Sequence, residues 1–116
     1  MPVPILAALG LLAGAAAPRR SPEMLARGKA TYAIYCIACH GETGAGDGPV
    51  APTLNPRPRN FSTEPFKQGA KVQQIFATLG KGVPGTAMVK FTNLSDDERW
   101  ALAWYVLDLR GAPARK

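Results

Sequence analysis

The chain has 116 residues, 47% of them hydrophobic, with 12 Gly and 11 Pro. That length fits a single domain, and the Gly and Pro content puts much of its middle in loops. Fourteen Lys and Arg against eight Asp and Glu give a formal net charge of +6; the basic residues form no run, which speaks against nucleic acid as a partner and for an acidic docking surface on another protein.

Residues 1–17, MPVPILAALGLLAGAAA, carry no charged side chain and end in small residues. This reads as the apolar stretch and cleavage site of a secretory signal, cut after Ala16, although no Lys or Arg precedes it. A retained N-terminal membrane anchor is the alternative. Its apolar run of about 15 residues would make roughly 22 Å of helix against a hydrocarbon core of about 30 Å. Arg19 and Arg20 also flank it on the side that the positive-inside rule disfavours for an exported domain. The expectation is an exported, periplasmic domain over residues 18–116, with any membrane contact left to residues 1–17.

Ser21-Pro22-Glu23 opens a helix, with Ser as N-cap, Pro at the first helical position and an acid in the first turn. The helix is expected to run to about Cys36 or Cys39, with Leu25, Gly28, Tyr32 and Tyr35 on one side. A glycine inside a helix costs stability, so Gly28 implies the close approach of another element. Residues 41–58 are loop by composition, and the segment 57–61 continues it. A second helix is expected over residues 71–79, with Val72, Ile75, Phe76 and Leu79 on one face and Gly80 or Gly82 ending it. Residues 83–86 form a turn-rich connector. Ser95-Asp96-Asp97-Glu98 is a capping box for a last helix that runs to about Arg110, stopped by Gly111. That helix is apolar on two faces, Leu102, Tyr105, Val106 and Leu109 on one and Trp100, Trp104 and Leu107 on the other. It should therefore lie buried between the first helix and a bound group.

Both cysteines and the only histidine lie in the run Cys36-Ile37-Ala38-Cys39-His40. C-x-x-C-H reads as a covalent attachment site for one c-type haem. Two thiols about a helical turn apart can each add to one vinyl group, and the next imidazole then serves the iron as an axial ligand. A redox dithiol would need a βαβ context that the helical patterns do not offer. A structural zinc site would have to recruit a carboxylate beside two Cys and one His. A disulfide here would close a very small loop. For the sixth position of the iron the candidates are methionine, lysine, asparagine or an open site. Met24 sits in the first turn of its helix, where it should point away. Met88 follows a Pro/Gly loop, which points to its thioether as the ligand.

The order of these signals resembles a bacterial class I c-type cytochrome over residues 21–111. It comprises Gly28 and Tyr32, CIACH, HGETGAGDGPVAPTL, GVPGTAM, and a capped terminal LSDDERWALAWYVLDL. The resemblance implies an all-α fold, three or four helices wrapped round one covalently bound haem with long loops. It implies that Gly28 and Tyr32 cross the last helix near Leu102 and Tyr105. It also implies that the Pro52 carbonyl accepts from the ring N–H of His40 and that Leu54 packs on the haem. Arg57, Arg59 and Asn60 fall in a loop suited to haem propionates, but the loop 51–68 is longer than in the smallest members. The implied function is one-electron transfer, not enzymatic catalysis, as a periplasmic carrier or electron-input module of a respiratory chain. Lys81 and Lys90 beside the methionine loop would attract an acidic redox partner. The alternatives are a ligand-binding or sensor haem, and a small cytochrome subunit of a larger membrane redox complex.

Overall fold

Ser21 holds extended backbone (φ −147°, ψ 158°), and its hydroxyl accepts from the Met24 N–H at 3.1 Å, so the first helix, α1, starts where its capping residues place it, over Pro22–Tyr35. The structure is a computed structural model that describes residues 17–111. The expected signal or anchor therefore lies almost wholly outside the described residues. After α1 come a single helical turn, α2 (Ile37–His40), and a 3-10 turn at Ala51–Thr53, then α3 (Val72–Lys81) and α4 (Asp96–Gly111). The described residues contain no strand, and no helix among them is long and apolar enough to cross a membrane. The all-α expectation holds.

The first helix is broken one residue earlier than its pattern suggests. Cys36 leaves the helical region (φ −120°, ψ −29°) while its N–H still bonds the Tyr32 carbonyl at 2.9 Å. At α4 the capping box is complete, with the Ser95 hydroxyl accepting from the Glu98 N–H at 3.1 Å and the Glu98 carboxylate accepting from the Ser95 N–H at 2.8 Å. α3 ends at Gly82, whose φ of +73° few other residues adopt.

α1 and α4 cross with their backbones in contact. A Cβ placed on Gly28 would sit 2.2 Å from the Ala101 carbonyl oxygen and 2.7 Å from the Tyr105 Cβ. Only glycine permits that approach, which is why a residue poor for helix stability stands there. Beneath the crossing Tyr32, Leu102 and Leu109 are fully buried, and Val72, Ile75 and Leu79 of α3 join the same core.

The second apolar face of α4 corrects an expectation. Trp100 stacks on Phe76 of α3 with ring centroids 3.8 Å apart, and the Trp104 indole N–H donates to the Pro18 carbonyl at 2.9 Å. That face is covered by α3 and by the segment before α1. Of α4 only Val106 reaches the cavity described next. The tryptophan face therefore meets protein, and α4 borders the cavity only through Val106 of its other face.

Candidate functional site

The break at Cys36 shapes the site. The Cys36 carbonyl accepts from the N–H groups of Cys39 at 3.2 Å and His40 at 2.8 Å, closing a tight turn. Cys36, Cys39 and His40 thereby line one cavity of about 300 Å³. Both thiols are free. Burial, with a smaller contribution from Cys39, pushes the Cys36 thiol up to about 12. It stays protonated at neutral pH.

His40 has a defined tautomer. Its Nδ1 lies 3.2 Å from the Arg59 carbonyl oxygen. A carbonyl only accepts, so Nδ1 carries the proton and Nε2 keeps the lone pair a metal needs. Burial lowers the His40 pKa, against a smaller opposing effect of the Arg59 carbonyl, so the ring is neutral at pH 7. Its face stacks on Phe61 with centroids 4.6 Å apart and planes 29° apart.

Here the expected partner of the imidazole is corrected. Pro52 is exposed in the 3-10 turn and does not line the cavity; the carbonyl that meets His40 belongs to Arg59, seven residues further on. The long loop carries the chain past Pro52 before it returns to the ring, and residue order alone could not show where the return falls.

Met88 lines the same cavity from the connection between α3 and α4, whereas Met24 does not line it. The connection closes on itself. Val83 N–H donates to the Met88 carbonyl at 3.1 Å, Thr86 N–H to the Val83 carbonyl at 3.2 Å, and the Thr86 hydroxyl to the same carbonyl at 2.7 Å. The Met88 N–H donates in turn to the Thr86 hydroxyl at 3.1 Å. Gly82 packs so tightly against this loop that a Cβ there would lie 2.8 Å from the Met88 carbonyl oxygen. The thioether is held on a preformed loop and does not depend on a floppy one.

Leu54, Arg57 and Arg59 also line the cavity, and the Arg57 guanidinium reaches the Gly46 carbonyl at 3.5 Å. Sequence reading missed Phe61, Phe66, Lys67, Thr86 and Phe91 as lining residues. Two phenylalanines within a polar, Pro-rich loop were the available signal, since an aromatic in such a loop must cover something. Tyr35 and Val89 line the cavity while 40% and 60% exposed, so it opens to solvent between them. Apolar walls, three cations and a donor set of two thiols, an imidazole and a thioether suit a flat apolar macrocycle with an iron centre and two carboxylates.

Helices closed round such a cavity, with C-x-x-C-H in one wall and a looped methionine in another, define a class I c-type cytochrome domain. Residues 23–106 match the family described as cytochrome c oxidase, cbb3-type, subunit III, and the chain belongs to that family. It is also similar to a chain of the reducing HAO-like protein complex Kustc0457/Kustc0458 from Kuenenia stuttgartiensis, with a TM-score of 0.66 and 31% identity over 82% of this chain. It spans 44% of that chain's length. Family membership brings haem c binding and haem-based electron transfer.

Proposed function

We propose that this protein is a one-electron carrier or electron-input module that holds one haem through thioethers to Cys36 and Cys39, with His40 and Met88 as axial ligands. One observation carries the reading: these four side chains line a single cavity. The haem supplies a one-electron couple when bound. Cys36 and Cys39 would hold it, each through a thioether to one vinyl group. His40 would offer the Nε2 lone pair and Met88 its thioether, a pair that would leave no place for substrate and favour transfer over catalysis or sensing. Arg57 or Arg59 pairs with a propionate. Export to the periplasm follows from residues 1–17 acting as signal or anchor. The partner is another redox protein, and the Kuenenia neighbour, part of a complex named for two components, supports a lasting assembly as one form of this role.

Acid–acetone extraction of the denatured protein tests the attachment. The colour should remain with the polypeptide, and its passage into the solvent would overturn the thioether assignment.

Docking is read from charge. Lys81 and Lys90 are exposed on either side of the methionine loop, and Lys67 lines the cavity. Steering by such charges weakens as screening shortens to about 8 Å at physiological salt. Replacing Lys81 and Lys90 with Glu should lower the association rate with the native partner and flatten its salt dependence, while the midpoint potential changes little. A rate indifferent to salt and to both replacements in stopped-flow measurements would instead indicate apolar docking or a permanent complex.

A further inference from the structure

We propose that residues 59–66, clamped by Arg110, position the His40 imidazole and thereby help set the potential of the iron; the proposal rests on His40 being an axial ligand. The segment is tied to itself. The Asn60 N–H donates to the Glu64 carboxylate at 2.7 Å, the Ser62 N–H to the Asn60 side-chain oxygen at 2.9 Å, and the Glu64 N–H to the Asn60 carbonyl at 3.0 Å. It is also tied at both ends to the rest of the fold. The Phe61 N–H donates to the Gly44 carbonyl at 2.7 Å. From the last turn of α4, the Arg110 guanidinium donates to the Phe61 carbonyl at 2.6 Å and the Glu64 carbonyl at 3.2 Å, and lies 4.5 Å over the Phe66 ring.

This clamped turn touches the imidazole twice. The Arg59 carbonyl accepts the hydrogen bond from Nδ1–H, and the Phe61 ring covers the imidazole face. Phe61 has little freedom of its own. It is 6% exposed, its ring meets Phe66 edge-on at 5.4 Å, and Gly44 stands where a Cβ would fall 2.5 Å from its ring. The carbonyl sets how much negative character the imidazole carries, and the ring sets its plane. A stronger Nδ1–H···O bond makes the ligand more basic and favours oxidised iron. Loosening the clamp therefore raises the potential. Arg110 is a positioning residue that acts through Phe61 and Arg59.

The test uses holoprotein with Arg110→Lys, Phe61→Leu and, as control, Asp108→Asn. Asp108 lies on the same helix and pairs with Arg20 at 2.6 Å on the surface. Lysine keeps the positive charge but loses the Nη1 donor position and the planar group over Phe66, so a potential change reports position and not charge. Arg110→Lys and Phe61→Leu should each raise the midpoint potential and broaden or shift the g values of the ferric electron paramagnetic resonance spectrum. Asp108→Asn should leave both at wild-type values, whatever it does to the melting temperature. The two variants loosen one contact from different sides, so either decides the matter if the other fails to load haem. Wild-type g values and potential in whichever of them loads would reduce the clamp to a purely structural role and overturn the proposal. A wild-type spectrum without histidine ligation would instead overturn the axial assignment on which it rests.

Discussion

Met88→Ala should abolish the far-red absorbance of thioether–iron ligation, lower the midpoint potential and let carbon monoxide bind the reduced protein. Met88 is the only methionine among the described residues that lines the cavity, and the chain's single histidine, His40, is the ligand proposed for the opposite side. Removal of the thioether leaves no equivalent donor on the 83–88 loop, where the one polar side chain, the Thr86 hydroxyl, is already bonded to the Val83 carbonyl and the Met88 N–H. A thioether favours reduced iron because it is a weak, polarizable donor, so its loss moves the potential down. The fall should be on the order of 0.1 V, a fraction of the roughly 0.8 V that axial ligands span. Optical potentiometry with and without carbon monoxide reads all three effects. A variant with unchanged absorbance and potential would show that another group holds the sixth position.

Gly28→Leu should cost about 3 kcal/mol, the upper part of the usual range for overpacking. The obstacle is backbone: a Cβ at this position already falls 2.2 Å from the Ala101 carbonyl oxygen, and a carbonyl inside α4 cannot turn aside without losing helical hydrogen bonding. Replacing a mid-helix glycine returns about 1 kcal/mol of helix propensity, too little to offset separation of α1 from α4. Tyr32, Tyr105 and Leu102 pack beside the contact, so the loss spreads into the core beneath the cavity. Gly111→Ala is the matched control, since nothing lies within 4 Å of a Cβ added there. Chemical denaturation of the holoproteins should show a large drop in midpoint for Gly28→Leu and almost none for Gly111→Ala. Equal midpoints for the two variants would show that α1 and α4 do not meet at Gly28.

Local chemistry made much of this protein legible in one dimension. The caps at Ser21 and Ser95 act within a few residues of themselves, so the starts of α1 and α4 follow from short-range hydrogen bonding. The C-x-x-C-H run carries its chemistry in its spacing. Gly28 announced a close approach because no local advantage explains a glycine in mid-helix. What faces each element was settled by tertiary structure. Whether α4's tryptophan face met haem or protein depended on where α3 and residues 17–18 lay. Which carbonyl oriented His40 depended on the path of a long loop, and the answer moved from Pro52 to Arg59. Phe61, Phe66 and Arg110 became a single clamp only when α4 brought the guanidinium beside a loop 46 to 49 residues away in sequence. Pairings at that separation are chosen by the packing of the whole chain and leave no periodic trace in the residues that make them.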